Sequence, residues 1–178
     1  MTLSKTQKVK LNKSFIKNFS KPYIIAELSG NHGGSLSRAL MLVKKAKEAG
    51  ADAIKLQTFK PNSITLNSKK SDFKIKDPKS LWKNSYLYQL YSKAYTPWEW
   101  HEKIFKYAKK INIDFFSSAF DEEAVDFLES LKVKFYKISS FENNHYPLIK
   151  KVLSTNKPLI ISTGASTLKE IDTLVSFF

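Results

Sequence analysis

The sequence predicts an α/β fold with a parallel sheet, because short apolar β-prone runs alternate with amphipathic helical stretches along its 178 residues. Two further patterns agree with this: capping signals open several of the helical stretches, and polar side chains gather where each apolar run ends. The expected strands are "YIIAEL" (23–28), "DAIKLQTF" (52–59), "IDFFSSAF" (113–120), "KFYKISSF" (134–141) and "PLIISTG" (158–164). Five β/α units fit a doubly wound sheet, and they also fit the first part of an eight-stranded barrel.

Each helix carries its own signals. Ser35 is the expected N-cap of a helix to Ala49 with the stripe Leu36, Ala39, Leu40, Val43 and Ala46, and Gly50 stands where a C′ glycine belongs. "TPWE" reads as a capping box, with Thr96 as cap, Pro97 at the first helical position and Glu99 returning to the cap. The stripe of that helix is Trp100, Ile104, Phe105, Ala108 and Ile111. Asp121 caps a third helix with Ala124, Val125, Leu128 and Leu131 inward, a fourth runs over 146–154, and Thr167 with Glu170 makes a second capping box for a helix over 168–177. Residues 60–95 form an abnormally long connection. Its aromatics Phe73, Trp82, Tyr86, Tyr88, Tyr91 and Tyr95 predict a packed excursion over the carboxyl end of the sheet, with a small helix near 80–94.

Composition narrows the function classes. A hydrophobic fraction of 42% is ordinary for a folded domain, so disorder is not expected. The absence of cysteine excludes a disulfide scaffold, a thiolate metal site and a cysteine nucleophile. No apolar run is long enough for a signal-peptide core or a membrane span, so the cytoplasm is the expected compartment and residues 1–20 are expected to be a frayed basic arm. A net charge of +14 invites a nucleic-acid reading, but Arg38 is the single arginine among 30 basic residues and the lysines are scattered. Solvated surface and attraction of small anions account for the charge better.

The candidate chemistry lies at the strand ends. Glu27, Asn31 and His32 follow or end the first run; Lys55 and Gln57 lie in the second, Ser118 in the third, Lys137, Ser140 and Glu142 in the fourth, and Ser162 in the fifth. Lys55 and Lys137 are the sharpest signals, since an ammonium in an apolar strand is costly unless it meets an anion. Alternation alone does not place them, and pairing with Glu27 or Glu142 is an alternative. "SGNHGG" holds three of the five glycines, which suggests a loop shaped around something. His32, His101 and His145 lack metal-ligand spacing, so no metal site is built from them; His101 is expected to be structural or solvent-facing.

Taken together, "IAELSGNHGG", "AGADAIKLQTF", "FFSSAFD", "AVDFLE", "YKISSFE", "PLI" and "ISTGAS", in that order from Tyr23 to Phe178, resemble the sialic acid synthase family. Those enzymes condense phosphoenolpyruvate with an amino-sugar aldehyde to make nonulosonic acids. "LWKNSYLYQLYSKAYTPWEWH" resembles the branch that makes pseudaminic acid from a 2,4-diacetamido-2,4,6-trideoxy-hexose instead of N-acetylmannosamine. The resemblance implies a (β/α)8 TIM barrel of which residues 21–178 are about the first five units, with the rest of the barrel and an antifreeze-like domain expected beyond residue 178. A chain of these units alone is expected to be inactive. The resemblance also implies a homodimer and a divalent metal, Mn2+ or Mg2+, with ligands beyond residue 178.

By the same resemblance, Lys55, Ser118, Lys137, Ser140 and Ser162 hold the phosphate and carboxylate of phosphoenolpyruvate. Glu27 is the catalytic group near the reacting carbons, and Gln57, Glu142, Asn31 and His32 line the sugar pocket. Two other functions fit the residues less well: an aldolase in which Lys55 or Lys137 forms a Schiff base, and a non-enzymatic basic protein that binds nucleic acid.

Overall fold

Backbone pairing follows the five apolar runs. The computed structural model describes residues 9–11, 14–16 and 20–178. Strands β3 (Ile25–Glu27), β4 (Ala53–Thr58), β5 (Asp114–Ala119), β6 (Tyr136–Ile138) and β7 (Leu159–Ile161) form a five-stranded parallel sheet in chain order. The order never reverses, which separates this sheet from a doubly wound one and makes it half of a β/α barrel. The strands are shorter than the apolar runs predict because pairing stops where the loops peel away, as at the 3-10 turn Ser140–Glu142 directly after β6.

Helices α1 (Leu36–Glu48), α4 (Trp98–Lys110), α5 (Glu122–Ser130), α6 (Tyr146–Leu153) and α7 (Leu168–Val175) follow successive strands, and α2 (Pro61–Ile64) and α3 (Leu87–Ala94) lie in the long excursion. Caps form where the sequence places them at α1, α5 and α7. Ser35 accepts from the Arg38 amide, Asp121 from the Ala124 amide, and Thr167 and Glu170 close a reciprocal box. At α4 the expected box is absent. The N-cap is Pro97, no side chain caps it, and Thr96 is 1% exposed with its hydroxyl engaged elsewhere.

Alternation divides the sheet into two faces. Ile54, Leu56, Phe115, Ala119, Tyr136 and Ile138 point to the helices and pack with Val43, Ile104, Val125, Leu128 and Leu148. Each such aliphatic side chain contributes roughly 1.5–3 kcal/mol by leaving water. On the inner face Ala53, Phe116 and Phe135 form a second cluster with Tyr23, Ile25 and Ile160 packed on it.

Leu11 closes that inner cluster at 2% exposure. It comes from an antiparallel pair, β1 (Val9–Leu11) and β2 (Ser14–Ile16), so the expected frayed arm is instead a hairpin where it is described. Residues 1–8, 12, 13 and 17–19 of that expected arm lie outside the described residues. The excursion packs as expected around Phe59, whose ring meets Tyr91 and Phe120 edge-on, and α3 falls within the predicted helical stretch. Trp82 is the exception, 53% exposed beside the more exposed Leu81. No helix among the described residues is long and apolar enough to cross a membrane.

Candidate active site

Sheet register decides what alternation leaves open. Glu27 pairs with Lys55, Lys55 with Phe116, Ser118 with Lys137, and Lys137 with Ile160. Directly paired residues share a face, so both lysines stand on the inner face with Phe116 and Ile160. The inner face is thus layered: apolar Ile25, Ala53, Phe116, Phe135 and Ile160 toward the amino ends, and polar Glu27, Lys55, Ser118, Lys137 and Ser162 toward the carboxyl ends.

Lys55 is 7% exposed, and its Nζ meets Glu27 Oε2 at 2.8 Å and donates to Ser118 Oγ at 3.2 Å. Glu27 is 54% exposed, so its carboxylate anchors the ammonium while still reaching solvent. Lys137 Nζ donates to Ser162 Oγ at 2.7 Å and to the Ile138 carbonyl at 2.6 Å. Burial pushes the Lys137 ammonium below its ordinary value, and the nearby charge of Lys55 pushes it further, against the opposing pull of Glu27 and Glu142. Two cations close enough to repel thus lie side by side, each with a serine hydroxyl, and Lys55 also pairs with Glu27.

The remaining expected residues divide. Gln57 pairs in register with Ser118 and so shares the inner face. Glu142 is half buried, and burial raises its carboxyl above the usual range, although Lys137 and His145 pull the other way. Its Oε2 is buried with no hydrogen-bond partner among the described residues. Ser140 makes no hydrogen bond to either lysine among the described residues; a Cβ on Gly164 would come within 2.8 Å of its Oγ. Asn31 is exposed in the turn after β3.

His32 is a correction. It is 0% exposed, Nδ1 accepts from the Gly34 amide at 3.1 Å, and Nε2 lies 3.1 Å from Thr96 Oγ1. Its ring also meets Trp100 edge-on at 5.4 Å. Burial lowers its pKa, and with no exposed surface and both nitrogens used it plugs the loop and is not a wall of a sugar pocket. The glycine-rich loop is shaped around its own histidine and around α3, since a Cβ on Gly30 would meet the Ala94 carbonyl oxygen at 2.8 Å.

Sequence reasoning missed Asn143, and of the two expectations for His101 the structure bears out the structural one. Asn143, 7% exposed, donates to the β7–α7 loop, and no motif in the sequence singled it out. His101 is fully buried with Nε2 2.8 Å from Thr58 Oγ1, which in turn lies 2.6 Å from Ser117 Oγ. A cavity of about 330 Å³, lined by Phe105, Ile113, Phe115 and Phe135 with three lysines, lies at the opposite, amino-terminal end of the strands.

The NeuB family profile matches residues 42–178. The chain belongs to the NeuB family. This NeuB-family chain is 48% identical to the pseudaminic acid synthase of Campylobacter jejuni over 92% of its own length and 48% of the relative's. It is 45% identical to the pseudaminic acid synthase of Helicobacter pylori, over 87% of this chain and 45% of that one. The N-acetylneuraminic acid (sialic acid) synthetase of Leptospira borgpetersenii, solved in complex with citrate, superposes with a TM-score of 0.82 at 26% identity, covering 97% of this chain and 55% of that chain. The chain therefore spans about half the length of the curated relatives it matches.

Proposed function

We propose that this chain supplies the phosphoenolpyruvate-binding part of a synthase that joins phosphoenolpyruvate to a 2,4-diacetamido-2,4,6-trideoxy-hexose, with water, to give a pseudaminic-type nonulosonic acid and phosphate. One observation carries the reading: Lys55 and Lys137 stand on one face of the sheet, each within hydrogen-bond reach of a serine hydroxyl, at the carboxyl ends of the strands. The identity of 48% and 45% to pseudaminic acid synthases, against 38% to a legionaminic acid synthase, supports the choice of sugar.

On this reading the two ammonium groups neutralise the phosphate and carboxylate while Ser118 and Ser162 orient them. A C–C bond forms between C3 of phosphoenolpyruvate and the aldehyde carbon, water oxygen adds at C2, and the C2–O bond to phosphate breaks. Glu27 accepts one proton of that water and passes it to the aldehyde oxygen, which ends as a hydroxyl, and the second proton leaves with phosphate as the C2 hydroxyl collapses to the ketone. The fixed cations act by preorganisation, since they need no rearrangement as charge moves to the leaving phosphate. The reading includes a divalent ion, Mn2+ or Mg2+, but no group of three or more His, Cys, Asp or Glu side chains among the described residues fits one, so no step is assigned to it. It also places the protein in the cytoplasm as a homodimer.

The test is phosphate release by a protein in which these residues are joined to the rest of a synthase barrel, since residues 1–178 alone are expected to release none. We expect release that requires both phosphoenolpyruvate and the sugar, and a fall in kcat/KM of about 10²–10³-fold in Lys55→Met or Lys137→Met. Wild-type turnover in either variant, or a lysine adduct trapped by borohydride with the sugar or pyruvate, overturns the reading.

A further inference from the structure

We propose that Asn143 is a positioning residue that presets the β7–α7 loop, residues 162–166, so that Ser162 meets Lys137; the inference rests on the synthase reading above. Asn143 follows the 3-10 turn after β6 and is 7% exposed. Its Nδ2 donates to Ser166 Oγ at 2.7 Å and lies 3.3 Å from both the Ser162 and Gly164 carbonyl oxygens. One amide thus spans both ends of the loop.

The loop needs such a clamp. Ala165 has φ +56°, a left-handed backbone that a side chain disfavours, and it lies between two of the groups that Asn143 holds. Thr163, Gly164 and Ala165 are exposed, so packing from above does not hold them. From below, the loop rests on Ser140, whose Oγ leaves no room for a Cβ at Gly164. The loop's first residue is fastened twice over. Ser162 N donates to the Ile138 carbonyl at 3.0 Å, and its Oγ accepts from Lys137. Asn143 therefore ties the strand end that carries the Ser162 hydroxyl to the turn beyond it, with no hydrogen bond to either lysine among the described residues. An aspartate of the same shape has no donors and faces three oxygens, so it reverses the contact.

The experiment uses these residues joined to the rest of a synthase barrel, with Asn143→Ala, Asn143→Asp and the double variant Asn143→Ala with Ala165→Gly. We expect faster amide exchange at residues 163–166 in both single variants and a KM for phosphoenolpyruvate raised about tenfold or more, while the KM for the sugar stays near wild type. Ala165→Gly removes the disfavoured backbone geometry and is expected to restore part of both properties. Unchanged exchange in the single variants, or a proportional rise of both KM values, overturns the inference. If the wild-type protein uses no phosphoenolpyruvate at all, the synthase reading falls, and the exchange result alone decides whether Asn143 clamps the loop.

Discussion

Among single residues, the polar groups of this chain fall into those that face the mouth of the sheet and those spent on internal architecture. Lys55 and Lys137 were legible as anomalies because ammonium groups rarely sit within apolar strands without an anion. His32 and His101 had no such signal. A histidine in a glycine-rich turn looks the same on paper whether it plugs a core or meets a ligand, and the difference is made by Thr96 and Thr58, each distant in sequence from its histidine. His101 gives a pH-dependent consequence. Burial lowers its pKa from 6.5 to about 4, so the unfolded chain takes up the proton first. Its contribution to stability is complete above pH 6.5 and drains away as the pH falls toward about 4, by about 3 kcal/mol at 1.36 kcal/mol per pH unit. Urea midpoints of wild type and His101→Gln across that window check this: the wild type is expected to lose stability with acid and the variant to show a flatter dependence.

Single elements were read best where a local hydrogen bond terminates them. Asp121 accepts from the Ala124 amide at 2.6 Å, and Thr167 with Glu170 closes its box, because both caps involve only neighbours three residues apart. Asp121→Ala is expected to destabilise the protein by about 1 kcal/mol in chemical denaturation, without altering the lysine pair on the inner face. The failure at α4 shows the limit of local reading. "TPWE" has the residues of a capping box, yet the Thr96 hydroxyl lies beside the buried imidazole of His32, and Pro97 takes the cap position with no side-chain bond. A buried ring nitrogen left without a partner is costly, while the first amides of an accessible helix end can be met by water, so the tertiary contact wins.

For the whole molecule, the decisive feature is the layering of the inner face. The apolar layer needs a cover at its amino-terminal end, and the hairpin β1–β2 provides Leu11, which packs with Ala53, Phe116 and Phe135. Leu11→Ala is expected to cost about 2–5 kcal/mol in urea denaturation, a range set by how far the site collapses around the lost atoms. A loss well under 1 kcal/mol refutes the role of the hairpin as a plug. The arm that carries Leu11 was misread because its lysines dominate its composition. Val9 and Leu11 alternate with lysines over too few residues to mark a strand, and only contact with Ala53, Phe116 and Phe135 reveals the use of Leu11.

The sequence by itself determined the parallel α/β class, the excursion with its helix, most caps, and the collection of lysines and serines at the strand ends, because all of these rest on spacing and on neighbours a few residues apart. The family resemblance pointed to the barrel order of the strands, while the tertiary structure alone decided that both lysines share the inner face, that His32 is a buried structural group, that His101 is buried and not solvent-facing, and that Asn143 holds the β7–α7 loop. Each of those outcomes depends on strand register or on contacts between residues tens of positions apart, and a shift of one residue in register would have turned Lys137 toward the helices.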